Sequence, residues 1–253
     1  IYGVLLMKNK ILMLCTAASL LFSMTACDDT VDMNDPSSVR KALTKKGVPF
    51  SPNQFVKFAA AGDTANLTLM VKATMDINVA DDNGNNAVAI VANKGDLSTL
   101  KYLFANGATA NVRNSRGETI LENAVAMGNK DVVNCVIDQL KKENADPQAM
   151  NPAVHFAAKA GKAEMLEVLA AAGAPLGMMG PDGYMPIHWT AKEGNYDALM
   201  VLINHGVAVN DTCAEGYSAL DWADNAGWTR LKAALKNAGA KVTAKYKKDS
   251  KRK

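Results

Sequence analysis

The sequence predicts an all-α fold: a solenoid of about six 33-residue helix–turn–helix repeats joined by β-turn fingers. Three observations predict it. One glycine recurs every 33 residues, as Gly62, Gly95, Gly128, Gly161, Gly194 and Gly227. A second set, Gly84, Gly117, Gly183 and Gly216, stands eleven residues upstream of its ladder partner. A third, Gly107, Gly173, Gly206 and Gly239, follows each apolar helical run. A period of this length marks supersecondary units that cannot bury an apolar face alone and must stack.

The chain begins with an address. Met7 is the natural start, and residues 1–6 read as upstream sequence. Lys8 and Lys10 make a short positive region, followed by the apolar run 11–24, too short to span a bilayer comfortably but right for a signal peptide. The run ends in Met24-Thr25-Ala26-Cys27. A small residue before a cysteine at this place resembles a bacterial lipoprotein signal, although Met24 departs from the usual leucine. The resemblance implies removal of residues 1–26 and lipidation of Cys27. The alternative is an ordinary secretory signal. Asp28 and Asp29 resemble the inner-membrane retention signal of enteric bacteria, which leaves inner and outer membrane both open.

Residues 27–35 form an acidic spacer. Asp35-Pro36 then has the form of a helix N-cap with proline in the first turn. Val39, Ala42 and Leu43 follow at helical spacing and Gly47 ends the segment, predicting an N-terminal capping helix at the start of a repeat domain over 36–241.

Within each repeat, the segment before the ladder glycine has one pattern. It appears as Pro152-Ala153-Val154-His155-Phe156-Ala157-Ala158 and Met185-Pro186-Ile187-His188-Trp189-Thr190-Ala191. Variants run from Asn86, Thr119 and Ser218, with a degenerate copy around Phe55 to Ala59. A second amphipathic helix follows, as with Leu199, Val201, Leu202 and Ile203. The closing glycines supply a left-handed C-cap, and Asn78, Asn111, Asn144 and Asn210 build the turn onward. The seven-residue pattern resembles the T-P-L-H-x-A-A stretch of ankyrin repeats, and the likeness covers about 47–241. At the end of the third repeat Leu140 and Met150 replace expected glycines, which predicts a distorted or longer finger at 140–151.

The composition is that of a folded protein, 49% apolar and 21% charged, and a net charge of +3 does not by itself imply a polyanion partner. The tail 242–253 belongs to a run with seven basic residues from Lys241 onward. Such a run is ordinarily disordered, though it could also attract anionic lipid. No G-x-S-x-G, P-loop, dinucleotide or HExxH motif occurs, so no catalysis and no cofactor are expected.

His155 and His188 lie one repeat apart. They could form a two-histidine metal site, but no carboxylate or cysteine recurs at ligand spacing, so they read instead as motif histidines bonded to turn backbone. Phe156, Trp189 and Trp222 share the period and are expected in the core. Cys135 falls on an apolar helix face, predicting a buried thiol, while Cys213 falls at a turn tip, predicting exposure.

The family resemblance implies a protein partner bound on the concave face formed by fingers and first helices. Laid over this sequence, it points to Asn83, Asn85, Arg113, Ser115, Arg116 and Glu118 in the early fingers. Met179, Asp182, Tyr184, Thr212, Glu215 and Tyr217 follow in the later ones. The leading expectation is a monomeric, membrane-tethered scaffold or adaptor facing the periplasm, with no nucleic-acid partner. The alternatives are an immunity or inhibitor protein and, in a different class, a metal or redox protein using His155, His188 or Cys213.

Overall fold

The computed structural model describes residues 31–250, so the signal segment and Cys27 lie outside the described residues. A capping helix, α1 (Pro36–Lys45), precedes six helix pairs. These are α2 (Pro52–Ala61) with α3 (Thr64–Lys72), α4 (Ala87–Lys94) with α5 (Leu97–Ala105), and α6 (Ile120–Met127) with α7 (Lys130–Lys142). They continue with α8 (Asn151–Lys159) and α9 (Ala163–Ala171), α10 (Pro186–Glu193) and α11 (Tyr196–Asn204), then α12 (Ala219–Asn225) and α13 (Thr229–Asn237). The first helices pack consecutively in one layer, the second helices in another. One continuous apolar core runs between them from Val39 to Ala240. Among the described residues there is no strand, only isolated bridges such as Ala80 with Asn86, Arg113 with Thr119 and Thr212 with Ser218, at the bases of fingers. No described helix is long and apolar enough to cross a membrane.

Helix starts follow from local hydrogen bonding. Asp35 accepts from the Ser37 and Ser38 amides to start α1. Asp63, Asp96 and Asn129 cap the second helices in the same way. Thr119 with Glu122, and Ser218 with Asp221, close reciprocal capping boxes at α6 and α12.

The ladder glycine meets two demands. At Gly194 φ is +82°, in the left-handed region, and an added Cβ would stand 2.7 Å from the Trp228 ring of the next repeat. At Gly161 it would stand 2.8 Å from Asn195, whose amide donates to the Ala158 and Lys159 carbonyls. The residue after each ladder glycine thus seats on the preceding rung, and a side chain there would push repeats apart.

Of the two expectations for 140–151, a distorted or a longer finger, the structure shows distortion: α7 runs 13 residues where its counterparts run 9, and the finger is replaced by a 3-10 turn, Pro147–Met150, that leads straight into α8. With leucine at 140 nothing stops the helix until Asn144, which takes the left-handed conformation at φ +52°. Glu143 then accepts from the Ala110 amide and the Thr109 hydroxyl, tying the extra turn to the preceding repeat. The tail differs from expectation: Ala244–Ser250 forms a short helix, α14. Its start is pinned where Thr243 N–H donates to Asp221 Oδ1, and Tyr246 donates to Asp224.

Candidate functional site

The fingers are held in two ways. In the first two, one side chain closes the turn from within, and the first finger is also tied to α2, where Asn53 donates to the Asp82 carboxylate and accepts from the Asp82 amide. Asp81 Oδ1 accepts from the Asn83 and Asn85 amides at 2.9 Å, and Asn114 Oδ1 accepts from Arg116 and Glu118 at 2.9 and 3.0 Å. Their outward groups are largely spent locally. Arg113 donates to the Gly117 carbonyl, and Arg116 pairs with Glu118 at 2.8 Å in an exposed bridge. Hydrogen bonds from Asn114 and Arg116 hold the Glu118 carboxyl below its ordinary range.

In the later fingers a histidine of the helix beneath holds the turn, and in the first of them Asp182 Oδ1 also accepts from the Tyr184 amide at 3.1 Å. His155 Nε2 lies 2.9 Å from the Met178 carbonyl, and His188 Nε2 lies 3.1 Å from that of Asp211. His188 is buried, and its Nδ1 accepts from the Met185 amide, so Nε2 carries the proton and donates. Both imidazoles are therefore backbone-bonded. Burial lowers their pKa values below the usual 6.5. The His155 ring needs Gly180 opposite it, since a Cβ there would sit 2.8 Å from Cε1. Among the described residues no cluster of three or more His, Cys, Asp or Glu could hold a metal.

These fingers carry rings. Tyr184 packs against Trp189 at 4.9 Å between centroids and against Trp222 at 5.7 Å, and Tyr217 stands 5.8 Å from Trp222 and 6.5 Å from Tyr246. Five rings thus line the last repeats: Tyr184 and Tyr217 on fingers, Trp189 and Trp222 on first helices, and Tyr246 on α14. Trp189 Nε1–H donates to Asp182 and the Tyr184 hydroxyl to Glu215, which fixes ring orientation. Burial first, then that bond, pushes the Tyr184 phenol far up. Lysines lie over the rings: Lys159 Nζ is 4.2 Å from the Trp189 centroid, and Lys192 Nζ is 4.9 to 5.0 Å from Tyr184, Trp189 and Trp222. Lys245, from α14, lies 4.7 Å over Tyr217 and donates to the Glu215 carbonyl.

All twelve finger residues expected from the sequence do lie on fingers. Asn83, Arg113, Ser115, Arg116, Met179, Asp182, Thr212 and Glu215 are exposed, while Asn85, Glu118 and Tyr217 are half-buried. Tyr184 is a correction: at 8% exposure it is a floor residue beneath the other rings. Trp189 and Trp222 pack against the core as expected but are only half-buried, and Phe156 is 37% exposed. Cys213 is buried, not exposed, because it stands one repeat on from Gly180, under the finger. Cys135 is only half-buried, and burial raises its thiol pKa. Lys159, Lys192 and Tyr246 were not anticipated. The signal for the first two was present, a lysine recurring at 33 beside a recurring tryptophan.

Comparison with known proteins agrees with this architecture. A family model described as ankyrin repeats (3 copies) matches residues 56–151 and 154–246. The crystal structure of an ankyrin repeat domain from Acinetobacter baumannii AYE superposes with a TM-score of 0.65 at 21% identity, covering 74% of this chain and 98% of that one. The ankyrin repeat domain of Bcl-3, a member of the IkappaB family, superposes with a TM-score of 0.69 at 19% identity, covering 76% and 87%. At such identities the likeness is one of fold. Among curated proteins, an L-asparaginase of Dirofilaria immitis is 28% identical over 124 residues, 49% of this chain. The chain spans about a fifth of that relative, 21% of its length, and the activity in its name is that protein's own.

Proposed function

The chain belongs to the ankyrin-repeat family, whose fold serves in general as a non-enzymatic protein-interaction scaffold, and we propose that this member captures one protein partner through the ring-bearing fingers of its last repeats. The observation that carries the reading is the run of five packed rings on that face, flanked by the exposed apolar side chains Phe156 and Met179. Half-buried tryptophan and tyrosine are the side chains most often dominant in binding, because they offer large rigid area at little entropic cost. This face corresponds to the concave surface of the family.

The same proposal places the chain at a membrane, held through lipid on Cys27 and facing the periplasm as a monomeric scaffold or adaptor. The support is the basic, apolar and small-residue order of residues 8–27. Two or more acyl chains on one cysteine anchor stably where one does not.

Two measurements test this. The full-length protein is used as bait in an envelope extract with cross-linking. A defined partner is expected with the wild type and lost with Trp222→Ala and Tyr217→Ala while circular dichroism shows both variants folded; retention of the same partner by both variants sinks the site. Cells are separately labelled with radioactive palmitate. The label is expected on the wild type and absent from Cys27→Ala, and a labelled variant overturns the anchor.

A further inference from the structure

We propose that the ring floor of α8, α10 and α12 receives an acidic segment of the partner, with aspartate or glutamate carboxylates meeting Lys159 and Lys192. This rests on reading that face as the partner site and adds the chemistry of the occupant.

Two ammonium groups lie on one indole. Lys159 Nζ stands 4.2 Å and Lys192 Nζ 5.0 Å from the Trp189 centroid, so they are no farther apart than the sum of those distances. Neither lies within 4 Å of a carboxylate oxygen among the described residues, so neither charge is met by an ion pair. Lys130 and Lys232, elsewhere in the solenoid, do have such partners, in Glu164 and Asp224. A ring face attracts a cation but leaves its charge and its N–H donors in place. The acids bordering the floor, Asp182 and Glu215, stand on the finger side and accept from Trp189 Nε1–H and the Tyr184 hydroxyl.

Donors are therefore in surplus. What complements two cationic donors on an aromatic floor is a partner rich in anionic acceptors. The lysine stems already lie along rings, so little further side-chain order is lost when a carboxylate arrives. The one-repeat spacing of the two lysines also suggests a register. Side chains i and i+2 of an extended segment point the same way about 6.6 Å apart, within reach of both ammoniums.

The test uses the full-length protein and a labelled peptide carrying Glu-Ala-Glu-Ala-Glu, followed by fluorescence anisotropy and tryptophan emission. Controls are the same peptide with Gln for Glu, the same with Lys for Glu, and phosphatidylglycerol vesicles. The Glu peptide is expected to bind at least tenfold tighter than the Gln peptide. Lys159→Gln and Lys192→Gln should each weaken it about fivefold, and Lys192→Arg should preserve it, with circular dichroism unchanged throughout. Equal affinity for Glu and Gln peptides, no binding of either, or an unaltered double variant overturns the proposal. So does vesicle binding that the double variant abolishes while the peptide is ignored, which assigns the cations to a lipid surface. The bait experiment keeps the two readings apart: a partner captured equally by wild type and by the double Lys→Gln variant ends the acidic-segment proposal and leaves the interaction site standing. A bait that captures nothing in any form ends the site itself.

Discussion

The first two fingers and the last two are the same turn built by different means. Asp81 and Asn114 close their turns internally, and the side chains around them, Arg113, Arg116 and Glu118, end in bonds to their own finger. In the later fingers Gly180 and Cys213 stand at that closing position, and His155 and His188 hold the turn from the helix below. The rings of Tyr184 and Tyr217 pack on Trp189 and Trp222. The division is one of degree, since Asn53 of α2 also ties Asp82 in the first finger and Asp182 also accepts from the Tyr184 amide in its own; what differs is that a histidine stands beneath the later fingers alone.

The largest effect should come from breaking the second mode. His188→Ala leaves the Met185 amide and the Asp211 carbonyl unpaired and opens a void where a fully buried imidazole stood. The expected cost is about 3 kcal/mol by chemical denaturation. The same motif position holds Glu122 in the third repeat, where it completes a capping box at a half-exposed helix start. Glu122→Ala should cost only about 1 kcal/mol. Equal costs would mean that the histidine tether is no stronger than a cap.

Binding should follow the same division. With the partner captured by the wild type, Trp189→Ala is expected to weaken binding about 30-fold, roughly 2 kcal/mol. Arg116→Ala, which breaks an exposed bridge within its own finger, should change affinity less than about twofold. Surface plasmon resonance on both variants checks this, and the reverse ranking would move the site to the early fingers.

The difference between the two halves was only partly legible in the sequence. The glycine ladder revealed the solenoid because each rung demands both a left-handed backbone and a neighbour's close approach, as at Gly194, and only glycine meets both. The motif histidines were legible for a similar reason, their position being defined by the period. The half-exposure of Trp189 and Trp222 was not. Periodicity assigns a residue to a helix but says little about which flank of the stripe stays open. Here the open flank is where Tyr184, one finger away, supplies the packing that helices would otherwise supply. Cys213 was misplaced because a turn tip ordinarily faces solvent, whereas this position points under the finger, as Gly180 shows one repeat earlier. The lost finger at the end of the third repeat was visible as missing glycines, but its resolution into an extra helical turn depends on Asn144 and Glu143 acting together.

Acid should separate the halves further. Burial lowers the folded-state pKa of His155 and of His188 below their unfolded value near 6.5. Above that pH both states are neutral and nothing is gained or lost. As pH falls through 6.5 the unfolded chain binds protons that the folded chain refuses, so stability drops until the folded pKa is passed. The early repeats carry no histidine. Their lowered groups, among them Asp96 and Glu118, lose their contribution only as pH falls below about 4. Hydrogen exchange at pH 7 and pH 5.5, corrected for intrinsic rates, should show protection falling in α8 to α12 and holding in α2 to α5. A uniform loss across both would refute the assignment.

The smallest effect concerns the closing turn of the first repeat, where Thr74 adopts φ +69° in the register that Gly107, Gly173, Gly206 and Gly239 fill elsewhere. A β-branched side chain in the left-handed region is strained by about 1–2 kcal/mol. Thr74 persists because it has a use: its hydroxyl accepts from Arg40, whose Nε also donates to the Ala73 carbonyl, fastening α1 to the stack. Thr74→Gly removes the strain, gives back part of it as unfolded-state entropy, and loses one exposed bond. The net expectation is a gain of about 0.5 kcal/mol. Arg40→Ala should cost less in the glycine background than in the wild type, because one of the two bonds is already gone. A gain in Thr74→Gly with an undiminished Arg40→Ala cost would show that the Ala73 carbonyl alone fastens the cap. A loss in Thr74→Gly would show that the hydroxyl outweighs the strain, and that the first repeat is closed by its neighbour as the later fingers are.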